Sequence, residues 1–233
     1  MSKYAEIIYP KDDKNQYPFK LSKYIYDRFM SRQQLNRKPK ILDIGCSTGK
    51  ALKRFNDCGE FELYGIDIRD EHVDGIEFKT CDIEKEKIPF PDDYFDFVYS
   101  KSVLEHVRNT DNFIEESFRV LRPGGMFIGL TPDWHSQYKY FWDDYTHVKP
   151  FTRKGLRDCL LIHGFEDSDC EYFYQLPFIW RFPQLLFIPK LISLLPDSLK
   201  WKTLEQRNTK DRKIIRFSKE KMLLSYGTKP CPK

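Results

Sequence analysis

Residues 40–44 (Lys-Ile-Leu-Asp-Ile) form a short apolar run that stops at Gly45, and a helix-compatible stretch follows over about 50–57. A buried strand of this kind needs partners on both edges and cover on both faces. The chain repeats the arrangement. Residues 61–68, 76–80, 95–100, 126–130 and 166–174 read as further strands, the one at 95–100 preceded by the turn residues Pro89, Pro91, Asp92 and Asp93. Phe113, Ile114, Phe118 and Leu121 fall at helical spacing, and Arg122-Pro123-Gly124-Gly125 ends that helix. Thr152 is placed to cap a helix running to His163, with Gly164 as its stop. Such alternation predicts an α/β fold, a Rossmann-like doubly wound sheet with helices on both faces.

The 233 residues, 40% hydrophobic and 16% aromatic, suffice for one substantial core and argue against global disorder. Their net charge of +4 is unevenly spread. Residues 200–233 hold eleven Lys or Arg against three Asp or Glu; the rest of the chain holds 28 against 32. An acidic body therefore precedes a basic tail. The six cysteines are scattered without a C-x-x-C pair, which predicts free thiols rather than a zinc site or a disulfide framework. Residues 1–20 are polar and lack a signal-peptide segment, so a cytoplasmic location is expected. Residues 176–195 carry only Arg181 and Lys190 as charges, but Pro177, Pro183 and Pro189 break them too often for a continuous membrane-spanning helix.

The segment Asp43-Ile44-Gly45-Cys46-Ser47-Thr48-Gly49-Lys50 lies where strand becomes helix, a usual place to cradle a nucleotide. A P-loop needs one more residue between its glycines and a Ser or Thr after the lysine, where Ala51 stands. The dinucleotide fingerprint needs glycine where Ser47 lies, and its third glycine has no counterpart. A nucleoside without phosphates fits better, because Asp43 suits an ammonium or sulfonium cation.

This turn resembles the first motif, D/E-x-G-x-G-x-G, of the class I S-adenosylmethionine-dependent methyltransferases, with Ser47 replacing one glycine. Gly65-Ile66-Asp67-Ile68 resembles the family's second-strand motif, whose acid binds the ribose hydroxyls. Cys81-Asp82-Ile83 resembles its adenine-binding turn, 95–100 its fourth strand, and 121–125 its turn into strand five. The likeness covers about 38–175. It implies S-adenosylmethionine as cofactor, held by Asp43, Gly45, Cys46, Gly49, Asp67, Ile68, Asp82, Ile83 and Ser100. Residues 221–230 resemble the family's last, antiparallel strand, which implies seven strands with a lid-like insertion between the sixth and seventh. The chain then reads as one domain: an N-terminal helical cap (1–37), a cofactor-binding core (38–174), an apolar and basic insertion (175–215), and the last strand and tail (216–233).

Acceptor groups are expected after strands four, five and six, because open α/β sheets bind ligands beyond their carboxyl ends. An oxygen acceptor needs a general base. His147, paired with Asp143 or Asp144, is the preferred base and His135 the second; His106, on an expected helix, reads equally as a packed histidine. Adjacent carboxylates point apart in extended chain, so no metal is expected on Asp143, Asp144 and His147. Residues 144–152 resemble a bacterial branch associated with glycan assembly, which implies a sugar hydroxyl of a glycan or lipid-linked intermediate as acceptor. Small-molecule and RNA acceptors, and a non-catalytic regulatory subunit, are the alternatives. Trp180, Phe182 and Phe187 make the insertion either a lid or a patch that meets an anionic membrane surface at the inner face. Nucleic acid is a less fitting partner, since the aromatics precede the cation-rich segment.

Overall fold

Strand β1 (Lys40–Ile44) lies at the centre of a seven-stranded sheet of order β3-β2-β1-β4-β5-β7-β6. The structure, a computed structural model, describes residues 17–33, 35–70, 73–200 and 213–232. In chain order the helices are α1 (Tyr17–Ile25), α2 (Lys50–Asn56), α3 (Thr110–Val120), α4 (Trp134–Gln137), α5 (Arg153–Ile162), α6 (Pro177–Arg181), α7 (Phe187–Ile192) and α8 (Lys213–Lys219). The other strands are β2 (Glu62–Asp67), β3 (Glu77–Thr80), β4 (Phe95–Lys101), β5 (Leu121–Pro132), β6 (Glu166–Phe173) and β7 (Met222–Thr228). The first five strands pair in parallel, and β7 runs antiparallel between β5 and β6. The fold is the seven-stranded Rossmann-like one expected from sequence.

Side chains alternate along each strand, so the sheet carries a core on both faces. Leu42, Ile44, Val98 and Phe127 pack with Phe113 and Ile114 of α3 and Leu156 and Leu160 of α5. Ile41, Phe97, Tyr99 and Ile128 pack on the other face with Leu21 and Ile25 of α1 and Leu52 and Phe55 of α2. Phe97 and Phe113 are fully buried, and truncating either to Ala would cost about 3–5 kcal/mol. Thr152 caps α5 by accepting from the Gly155 N–H at 3.2 Å, a bond of about 1 kcal/mol.

Two boundaries differ from the sequence reading. Residues 121–125 are not a free turn: they extend β5, and the β4–β5 register shifts between Phe95 and Phe97 to absorb the Pro-Gly-Gly stretch. His106 lies in a single 3₁₀ turn (Leu104–His106), not on a helix; the true helix starts at Thr110, where the Asn109 side chain caps it.

The parallel order reverses between β1 and β4, so the crevice for a ligand opens beyond their carboxyl ends. The connection between β6 and β7 leaves from that same edge. It packs back through Trp180, whose indole N–H donates to the Tyr174 carbonyl at 2.8 Å and whose ring stacks on Phe173. Trp180 is thereby withdrawn from the aromatic set expected to meet a membrane. Phe182, Phe187, Leu191 and Leu194 stay exposed. Among the described residues no helix is long and apolar enough to cross a membrane. Residues 1–16 of the expected N-terminal cap, and 201–212 of the insertion and basic tail, lie outside the described residues.

Candidate active site

At the end of β1 the chain reverses through two left-handed glycines, Gly45 (φ +76°) and Gly49 (φ +67°), conformations that other residues adopt only with strain. The Gly45 and Cys46 N–H groups donate to the Ile66 carbonyl at 2.8 and 3.1 Å, tying the turn to β2. A Cβ at Gly45 would stand 2.3 Å from Val103 Cγ2, so the segment after β4 packs directly on the turn.

Ser47 is more than a tolerated replacement for glycine. It holds φ +47°, its N–H donates to Asp67 Oδ2 at 2.9 Å, and its hydroxyl accepts from Arg69 Nη2 at 2.9 Å. Asp67 Oδ1 also accepts from the Arg69 N–H and Nε at 3.1 and 3.3 Å. Asp67, Ser47 and Arg69 thus lock the expected ribose seat together. Arg69 was invisible in sequence because its role depends on the turn folding back over β2.

Asp43 is 3% exposed. Burial first, and then Asp67, push its carboxyl well above the ordinary range, while Lys101 opposes them. Burial lowers the Lys101 pKa, and Glu105 and Asp43 raise it, so this ammonium links the turn to the chemistry after β4.

The remaining cofactor candidates occupy varied settings. Ile68 is 48% exposed beside Asp67, an apolar surface open to a ligand. Ile83 is buried. Asp82 is engaged in its own turn, accepting from the Glu84 N–H at 3.2 Å and pairing with Lys85 at 2.9 Å. Ser100 is buried and donates to the Ile44 carbonyl at 3.1 Å, which makes it a tie between β4 and β1.

Beyond β4 and β5 the chain brings Glu105 and His106 against 144–149. The Val148 and Lys149 N–H groups donate to the Glu105 carbonyl at 2.8 and 3.2 Å. His147 is half-buried; Nδ1 donates to the Phe141 carbonyl at 2.6 Å, and Nε2 lies 4.0 Å from Asp144 Oδ2. Its partner is therefore Asp144, while Asp143 is exposed on the preceding turn. The His106 and His147 rings stand 4.8 Å apart. Burial and the neighbouring His147 lower the His106 pKa. Glu105 is 1% exposed, and burial pushes its carboxyl up to about 7 against a hydrogen bond from Thr131 Oγ1 at 2.9 Å. His135 is not drawn into this group: its side chain is 66% exposed, with Nδ1 3.9 Å from Asp133. The sequence pointed at 101–106 as a strand end, but pairing Glu105 with His147 required the fold.

Nearby, the insertion closes on the segment after β5. Lys139 and Lys219 both pair with Asp197 at 3.2 Å, and the Lys200 ammonium lies 3.6 Å above the Tyr140 ring. Between them is a cavity of about 220 Å³ lined by Ser136, Tyr140, Asp197, Lys200, Lys219 and Lys221.

The glycine turn and its acidic side chains thus sit at the switch point of a doubly wound sheet. Residues 42–129 match the family described as Methyltransferase domain. The chain is 35% identical over 123 residues to the ubiquinone/menaquinone biosynthesis C-methyltransferase of Paraburkholderia phymatum, covering 47% of this chain and 48% of that protein. It is 30% identical over 112 residues to the 27-O-demethylrifamycin SV methyltransferase of Amycolatopsis mediterranei, covering 42% and 40%. The matches span about half or less of these relatives' own length. Among solved structures, the fold resembles the methyltransferase complexed with the Trm112 activator of Haloferax volcanii, with TM-score 0.67 and 17% identity over 98% of this chain and 93% of that one. It also resembles a Haemonchus contortus phosphoethanolamine N-methyltransferase in complex with S-adenosyl-L-methionine, with TM-score 0.61 and 16% identity over 91% of this chain and 52% of that one.

Proposed function

We propose that this chain transfers the methyl group of S-adenosylmethionine to a hydroxyl oxygen of a small-molecule or glycan acceptor. The observation that carries this reading is the gathering of buried Glu105 with His106, His147 and Asp144 beside the Gly45 turn. The cofactor lies over 43–49, its sulfonium charge matched by Asp43 and its ribose by Asp67. Methyl transfer is an in-line displacement, so the protein contributes chiefly by aligning the acceptor with the donor carbon. An oxygen acceptor must also lose a proton, and the Asp144–His147 pair takes it. Carbon and nitrogen acceptors occur in the names of the relatives, but the rifamycin relative is named for an oxygen, and a basic pair at the crevice supports that choice here.

Residues 175–200 are read as a lid over the acceptor. The lysine-lined cavity supports an acceptor carrying an anionic group. The exposed Phe182, Phe187, Leu191 and Leu194 support an apolar portion, as in a lipid-linked glycan intermediate.

Calorimetry with S-adenosylhomocysteine tests the cofactor: the intact chain binds it and Asp67→Ala weakens binding, whereas no binding by the folded chain refutes the assignment. Labelled methyl transfer into a lysate fractionated into lipid, glycan, small-molecule and RNA pools then tests the acceptor. Label confined to RNA would replace the hydroxyl acceptor proposed here.

A further inference from the structure

Glu105, His106 and His147 each offer one ligand atom within 4.8 Å of those of the other two. Ligand atoms sharing one ion tetrahedrally at about 2.1 Å stand about 3.4 Å apart, so the three side chains need to draw together by up to about 1.4 Å. The hydrogen bonds of both imidazoles are arranged for such a role. His147 Nδ1 donates to the Phe141 carbonyl at 2.6 Å. His106 Nδ1 faces the Thr146 carbonyl at 3.2 Å and the Thr146 hydroxyl at 2.9 Å. That hydroxyl has one proton and gives it to Asp144 Oδ1 at 2.6 Å, so it accepts from His106. Both rings are thereby Nδ1–H tautomers whose Nε2 carries the lone pair, the arrangement that fixes metal-bound histidines. Glu105, buried and anchored through one oxygen by Thr131, adds a carboxylate.

We propose that Glu105, His106 and His147 bind a single divalent transition-metal cation at the acceptor side of the crevice. Two imidazoles and one carboxylate suit such an ion and leave coordination positions for an acceptor.

The role in catalysis rests on the methyltransferase reading above. An acceptor hydroxyl bound to the cation loses its proton to the Asp144 carboxylate. Its oxygen forms a bond to the methyl carbon while the carbon–sulfur bond breaks, its electron pair going to sulfur as neutral S-adenosylhomocysteine. Within the Asp144–His147 pair, His147 then holds the ion and Asp144 takes the proton.

Titration of the full chain with Co²⁺, followed by visible d–d absorption, tests the site. One equivalent saturates it, and His106→Ala, His147→Ala and Glu105→Gln each weaken binding by at least about tenfold. His163→Ala, in the Asp111–Cys159–His163 cluster, leaves it unchanged. S-adenosylhomocysteine calorimetry reports whether each variant is folded, and His147→Gln replaces His147→Ala if the latter is not. No saturable Co²⁺ binding by the intact chain, or binding that survives both histidine substitutions, overturns the proposal. Homocysteine-product binding without Co²⁺ binding would remove the metal and keep the methyltransferase; the reverse pattern would do the opposite.

Discussion

The turn over residues 43–49 and the group around His147 both lie beyond the carboxyl ends of the strands but are built in different ways. The turn is made by neighbours in sequence, and two left-handed glycines set its shape. The His147 group is assembled from residues some forty positions apart, which meet because β4 and β5 are adjacent and the Glu105 carbonyl holds the 148–149 backbone. The first is specified by local conformation and the second by packing. Substitutions should therefore separate cofactor binding from turnover.

The largest effect expected is on the turn. Gly45→Val places a branched side chain at φ +76° and against Val103, and should abolish S-adenosylhomocysteine binding by calorimetry. Binding retained by that variant would show that the left-handed residue does not shape the seat. His147→Ala should lower kcat by about 10²–10⁴ while leaving product affinity within about twofold. A parallel loss of affinity would mean that the two sites are not separable.

A smaller effect concerns pH. Asp43 holds its proton more tightly in the folded chain than in the unfolded one, because burial and Asp67 disfavour the carboxylate. The stability this confers is present below the ordinary value of 3.8 and is lost as pH rises through the elevated value. Asp43→Asn should flatten this decline and raise Tm at neutral pH, by roughly 2–4 °C per kcal/mol recovered for a chain of this size, while weakening cofactor binding. A melting series from pH 4 to 8 shows whether the wild-type slope depends on this residue. The smallest effect is His135→Ala, which should change kcat less than about threefold because the ring faces solvent. A larger drop would bring the segment after β5 into the acceptor site.

Much of the cofactor side was legible because strand, turn and helix are contiguous there. Gly45, Gly49 and Asp67 announce themselves by residue type and position. Ser47 was legible only as a departure; its work, joining Asp67 to Arg69, appears once the turn closes on β2. Ser100 was named through the likeness of 95–100 to a family motif; its hydroxyl donates to the adjacent β1 backbone. Trp180 looked like a membrane anchor, and contacts with Tyr17, Tyr24 and Phe173 draw it inward. His135 follows β5 directly and its side chain is largely exposed, while His147, farther along, packs beside His106.

By itself the sequence determined the alternation of strands and helices, the left-handed turn after β1 and the choice of a phosphate-free cofactor. Each of these follows from backbone conformation and hydrophobic period within a few neighbouring residues. Only the tertiary structure decided which acid partners His147, that Glu105 and His106 join it, and that Ser47 and Arg69 brace Asp67. Those contacts arise from strand order and loop return, whose energies are summed over the whole core rather than carried by any local pattern.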